Sequence, residues 1–157
     1  MRLWQKILIC VVPILLSGFV SGLITASSVD EWYRFLEKPP GTPPDWLFAP
    51  VWSLLYTMMG LSLALVWHRA PSGPLKTVAV AWFVMQFALN LAWTPVFFGA
   101  RQVPAGLVVI VGLLLALVMT IVSFFRVERL AAWLLVPYLL WVGYATYLNA
   151  GIFVAYK

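Results

Sequence analysis

Charge is what this sequence has least of. Five acidic residues, ten basic ones and a single histidine are spread over 157 positions, and charged residues make up only 10% of the chain. Hydrophobic residues make up 64%, and so little polar surface cannot clothe a soluble globule. The one cysteine, Cys10, lies in an apolar run with no second thiol for an internal disulfide, which leaves it a packing residue. One histidine, one cysteine and carboxylates confined to connecting segments do not make a metal site. His68 likewise has no serine and acid placed with it for a nucleophilic triad. No Asp, Glu, Lys or Arg falls in the middle of an apolar run, which argues against proton relays and ion-coupled pumping. The formal charge of +5 comes from basic residues scattered at the ends of the runs, so no nucleic-acid partner is expected.

What is present is a set of five apolar stretches, 7–26, 46–67, 78–98, 103–125 and 130–155. Each is about 20 residues long, the length at which a helix crosses a hydrocarbon core. Backbone groups in lipid must be satisfied within their own segment, so helices are expected, and the ~10-residue alternating pattern of a β-barrel is missing. The expected fold is therefore all-α: a polytopic membrane protein with one domain over 1–157, a five-transmembrane-helix bundle. Arg2 and Lys6 ahead of the first run and Ala26-Ser27-Ser28 after it resemble a signal peptide, but the run exceeds the usual apolar core and is expected to be retained. Arg2, Lys6, Arg69, Lys76, Arg126 and Arg129 on one side, against Arg34, Lys38, Arg101 and Lys157 on the other, favour an inside N-terminus. An odd number of spans and the lack of an internal repeat disfavour a transporter built from inverted repeats.

Only the connection 27–45 is long enough to have structure of its own. Ser28 and Glu31 stand at capping-box spacing ahead of a short predicted helix over 30–37. The prolines of "KPPGTPPDWLFAPVW" (38–52) hold the chain extended, and Asp45 is placed to cap the second span. A folded lid and a stiff connector both fit this segment.

The spans carry amides and indoles where charges are missing. Gln86, Asn90 and Trp93 recur at i, i+4, i+7 and share a helical face, as do Trp141, Ala145 and Asn149, with Tyr144 beside them. Trp52, Tyr56, Met59 and Leu63 form a similar stripe on the second span. An amide in hydrocarbon is costly without a partner, so each stripe is expected to face inward. Interhelical bonding alone would account for Gln86, Asn90 and Asn149. Trp4, Trp46, Trp67, Trp82 and Trp133 sit near span ends, as membrane-interface tryptophans do. Trp52, Trp93 and Trp141 instead coincide with the stripes, where they could stack on a flat ligand. Gly18, Gly22 and Ala26, and again Gly112, Ala116 and Thr120, form small-residue series suited to packing within the bundle or against a second copy.

Three stretches, "EWYRFLEKPPGTPPDWLFAPVWSLLY" (31–56), "MQFALNLAWTPVFFG" (85–99) and "PYLLWVGYATYLNAGIF" (137–153), resemble the tryptophan-rich sensory protein and translocator protein family, the peripheral benzodiazepine receptors. The resemblance covers nearly all of the chain beyond the first span. It implies a five-helix bundle, commonly a homodimer in membrane lipid, that binds porphyrins such as protoporphyrin IX and haem as ligands and requires no cofactor. Carried over by position, the pocket includes Trp52, Asn90, Trp141, Ala145 and Asn149, and the stripes add Tyr56, Gln86, Trp93 and Tyr144. Trp32, Tyr33 and the loop prolines Pro39, Pro40, Pro43 and Pro44 correspond to the family's lid, with Arg34 or Lys38 as candidate partners for the propionates.

The implied function is a membrane receptor that senses, sequesters or passes on tetrapyrroles. The alternatives are light-dependent porphyrin breakdown, with Trp52 and Trp141 as the residues at stake, and a ligand-free scaffold. No acid, base or metal for ordinary catalysis is supplied, so such an activity would borrow the ligand's own photochemistry. Two departures stand out. Pro40-Gly41 occupies the place where many relatives have an aromatic residue. Val154, Tyr156 and Lys157 lack the spacer of the animal members' sterol pattern, which counts against sterol binding. The absence of a transit peptide points to a bacterial cell membrane.

Overall fold

The computed structural model describes residues 1–155, so the last two members of the Val154, Tyr156, Lys157 pattern lie outside the described residues. Among the described residues five segments are long and apolar enough to cross a membrane. They are α1 (Leu3–Glu31), α2 (Phe48–Arg69), α3 (Pro74–Thr94), α4 (Val103–Phe125), and a fifth built from α5 (Arg129–Leu134) and α6 (Val136–Ala155). The expected all-α five-span bundle is thus the observed one. Round the bundle α1 lies against α2, α2 against α5, α6 against α4, and α4 against α3, whose far end returns to α1.

Proline and glycine decide where the spans depart from plain helices. Pro95 has no N–H to donate, and α3 passes through it into a wider π turn, Pro95–Gly99, closed by the Ala100 N–H on the Pro95 carbonyl at 2.7 Å. That turn brings Phe97 and Phe98 inward, where both are buried. Pro137 also lacks an N–H, and the fifth span is interrupted just ahead of it, without a π turn. Here α5 starts under a cap from the Glu128 carboxylate to the Leu130 N–H at 3.3 Å, and ends at Leu135 before α6 begins. At the end of α2, the Lys76 ammonium donates to the Trp67 and Ala70 carbonyls at 2.9 and 3.2 Å, placing positive charge at the helix C-terminus.

The first loop differs from its sequence-based expectation. Ser28 and Glu31 do not cap a separate helix over 30–37, because α1 runs through both of them. The Ser28 hydroxyl is buried and donates to the Phe98 carbonyl, while Glu31 pairs with Arg101 at 3.0 Å. A tertiary partner therefore outcompeted the local capping signal. What remains of the predicted helix is one 3₁₀ turn, Tyr33–Phe35. Asp45 opens a second such turn, Asp45–Leu47, and the residue that caps α2 is Leu47, without a side-chain bond.

Packing is dense at one end and open at the other. Met59, Leu117, Phe124, Leu135 and Tyr138 are fully buried in the main core, and Val29, Tyr33, Phe97, Phe98 and Ile152 form a second cluster under the loop. The Gly112, Ala116 and Thr120 series packs within the bundle, with Ala116 and Thr120 both buried. Gly18 and Gly60 let α1 and α2 touch: a Cβ on Gly60 would come within 2.6 Å of the Val11 Cα, and one on Gly18 would overlap the Tyr56 ring. Gly22, one turn beyond Gly18, faces open space. Because backbone cannot yield as a side chain tip can, Gly60→Leu is expected to destabilise the bundle by about 1–3 kcal/mol of overpacking. Gly143→Ala, where nothing lies within 4 Å, serves as control. Unfolding in detergent micelles checks this, and equal stability of the two variants would contradict the contact.

Candidate functional site

Between the two clusters lies a cavity of about 740 Å³. Its walls come from α1, α2, α3 with its π turn, α4 and α6, and a rim from the first loop. The apolar walls follow from the composition of the spans, and the polar groups need separate account.

Four side chains form one buried hydrogen-bonded chain across three spans. The Tyr56 hydroxyl donates to Asn90 Oδ1 at 2.6 Å, Asn90 Nδ2 donates to the Tyr138 hydroxyl at 2.7 Å, and that hydroxyl donates to Gln86 Oε1 at 2.9 Å. Tyr56 and Asn90 line the cavity, whereas Tyr138 and Gln86 stand behind them and do not. A second set joins α3 to α6 and α4: Trp93 Nε1 donates to Asn149 Oδ1 at 3.1 Å, and Asn149 Nδ2 donates to the Val103 carbonyl at 3.3 Å. In low dielectric each of these bonds removes a large desolvation cost. The amides are therefore engaged with the bundle itself, and Asn90, which lines the cavity, uses one of its two amide hydrogens and accepts one bond at Oδ1. Among the described residues two buried polar atoms lack a partner, Gln86 Nε2 and Trp141 Nε1.

The indoles are placed by their edges. Trp52 stands T-shaped to Trp141 with centroids 6.4 Å apart, and Trp141 is flanked by Phe48 at 6.2 Å and Tyr144 at 6.0 Å. Trp93 stacks on Phe97 at 5.1 Å. Trp52, Trp93 and Trp141 thus wall one hollow from three different helices, joined there by Tyr56, Asn90, Ala145 and Asn149. Gln86 and Tyr144 do not line it.

Against this geometry, the sequence model of the TspO/MBR family matches residues 9–155. The chain belongs to the TspO/MBR family. It is 43% identical to the tryptophan-rich protein TspO of Chlorobaculum tepidum over 90% of this chain and 89% of that one. It is also 43% identical to the human translocator protein over 76% of this chain and 71% of that one, and 39% identical to protein CrtK of Rhodobacter capsulatus over 80% and 78%. With five spans of this length, this TspO/MBR protein is an integral membrane protein.

The residues that the resemblance assigned to a lid take separate places in this TspO/MBR protein. Tyr33 lines the cavity, but Trp32 packs edge-on to Phe97 at 5.5 Å outside it, and Pro39, Pro40, Pro43 and Pro44 do not touch the hollow. The strap is instead laid along α6. Pro39 sits on Gly151, where a Cβ would come within 2.6 Å of its ring, and the Tyr147 hydroxyl donates to the Pro40 carbonyl at 3.0 Å. Gly41 takes a φ of +85° there, which a side chain rarely adopts. The rim groups differ from expectation as well. Asp30 and Asp45 line the mouth, while Arg34 is paired with Asp30 at 3.0 Å and Lys38 is bonded to the Arg34 and Leu36 carbonyls at 3.2 Å. Burial, with Asp45 and Tyr144 adding to it, pushes the Tyr33 hydroxyl up to about 12, so it stays neutral at physiological pH.

Tyr138 went unnoticed in the sequence, although it stands three residues before Trp141 on the same stripe. Its value lies in the partner it offers Asn90, which only the fold supplies. Removing that hydroxyl in Tyr138→Phe leaves Asn90 and Gln86 facing a gap, and about 1–3 kcal/mol of stability should be lost, the usual cost of a buried polar group without its partner. Denaturation in detergent measures it. Wild-type stability would mean that the chain of bonds contributes nothing.

Proposed function

We propose that the cavity binds a flat tetrapyrrole of the protoporphyrin IX kind, and that the protein acts as a membrane receptor that senses, sequesters or passes on porphyrins. The observation that carries this reading is the walling of one hollow by Trp52, Trp93 and Trp141, with the Asn90 and Asn149 amides of its lining already bonded to Tyr56 and Trp93. Such a hollow suits a guest whose area is largely aromatic, and its volume falls in the range of small-molecule sites, about 300–1,000 Å³. Family membership supports the same reading through the resemblance in the three quoted stretches.

The lining favours a metal-free macrocycle over haem. Among the described residues it contains no His, Cys or Met to hold iron axially. Tyr56 is engaged with Asn90, and Tyr33 is held neutral. The alternative of light-driven porphyrin breakdown draws on the contact of Trp52 with Trp141, which sets two oxidisable rings side by side.

Titration of the detergent-solubilised protein with protoporphyrin IX, followed by tryptophan emission, tests the binding. Trp52→Leu and Trp141→Leu should each weaken it roughly twofold to tenfold, the worth of one aromatic contact at about 0.5–1.5 kcal/mol. Unchanged affinity in both variants would remove the pocket assignment. Illumination of the same samples separates binder from degrader, since bleaching no faster than in protein-free solution leaves a binder only.

A further inference from the structure

The cavity has two sides of different character. Toward α6 it is covered, because the strap is seated on Gly151 and tied to Tyr147, and the Tyr33, Phe97 and Phe98 cluster lies beneath it. Toward the seam between α1 and α2 it is uncovered. There the lining includes Phe19, Gly22, Leu23 and Ala26 of α1 and Ala49 and Ser53 of α2, all exposed.

Depth decides what lies outside that seam. Leu23 and Phe19 stand eight and twelve residues before the end of α1, about 12 and 18 Å below it at the helical rise. A hydrocarbon core is about 30 Å thick, so these levels lie within the acyl chains rather than the headgroups. Phe19 and Leu23 are 66% and 58% exposed, which at that depth means exposed to lipid. The seam is closed lower down, where Gly60 meets Val11 and Gly18 meets the Tyr56 ring, and it parts at Gly22, whose missing side chain leaves open space. At the top of the same seam stand Asp30, Asp45 and the Arg34 paired with Asp30.

We propose that the ligand passes in and out sideways, between the bilayer hydrocarbon and the cavity, through a slot in the α1–α2 seam whose threshold is Gly22. The inference rests on the porphyrin reading for its cargo: an apolar macrocycle dissolved among the acyl chains slides in edge-first while its carboxylates stay at the level of Arg34. The strap is then a fixed cover rather than a door. Gly22 is the threshold because a side chain added there meets no atom of the protein and fills only the slot. Phe19, on the same rim, sets the slot's width.

The test uses the full chain in lipid vesicles, mixed rapidly with vesicles carrying protoporphyrin IX while tryptophan quenching is followed. Gly22→Leu should slow association and dissociation together, on the order of tenfold for one added barrier of about 1.4 kcal/mol. Phe19→Ala should speed both. Gly143→Leu, at a glycine with equally open surroundings that does not line the cavity, should leave both rates unchanged. Unaltered rates in Gly22→Leu, with faster exchange in Tyr147→Phe, would place the passage under the strap and overturn the slot. Faster dissociation in Gly22→Leu without slower association would show lost affinity instead of a blocked path, and would overturn it too.

A ligand-free arm keeps the two readings apart. In a Cys10→Ala background, a spin label attached through Gly22→Cys should collide readily with oxygen, which concentrates in lipid, and poorly with a water-soluble nickel chelate. The reverse order would refute a lipid-facing slot whatever the ligand proves to be. Lipid-type accessibility without any protoporphyrin quenching in the parent would keep the slot and discard the porphyrin.

Discussion

A polar group inside a bilayer has no water to fall back on, and the bundle is arranged around that constraint. Tyr56, Asn90, Tyr138 and Gln86 would each be costly alone in hydrocarbon. Joined head to tail they tie α2, α3 and α6 at one level, where the hydroxyls of Tyr56 and Tyr138 pair with both polar atoms of Asn90 and with Gln86 Oε1, while Gln86 Nε2 stays without a partner. The bonded chain also holds the Asn90 side chain in place at the cavity wall. Rigidity of the bundle and the chemistry of the hollow are thus two consequences of one set of bonds.

Small residues and prolines turn that set into a cavity with a direction. Gly18 and Gly60 draw α1 onto α2 at one level, and Gly22 leaves them apart at the next. Pro95 widens α3 into the π turn that carries Phe97 and Phe98 under the loop, and the proline strap is held down on α6 through Gly151. The strap therefore covers the side toward α6, while Asp30 and Asp45 mark the aqueous rim and exposed Phe19 and Leu23 the side toward α1.

Much of the architecture was legible because its causes are local. The length and apolarity of the five runs required five helices, and the i, i+4 spacing of Asn90 with Gln86 and of Trp141 with Ala145 put those residues on inward faces. The quoted stretches at 31–56, 85–99 and 137–153 carried the family. The helix expected over 30–37 was not observed, since Ser28 found the Phe98 carbonyl seventy residues away and α1 ran on to reach it. Arg34 and Lys38 were expected at the mouth for a similar reason: position along the chain shows that they are near it, but not that Asp30 and backbone carbonyls hold them.

By itself the sequence determined the solvent of this protein, the number of its crossings and the face each polar stripe presents, because hydropathy and helical periodicity act over a few turns of one segment. Only the tertiary structure decided that Gln86 and Tyr138 stand behind the cavity while Asn90 and Tyr56 line it, that the strap rests on α6, and that the seam opens at Gly22. Those outcomes depend on which atoms of other helices arrive opposite a given side chain, and packing between distant segments is the only place where that information resides.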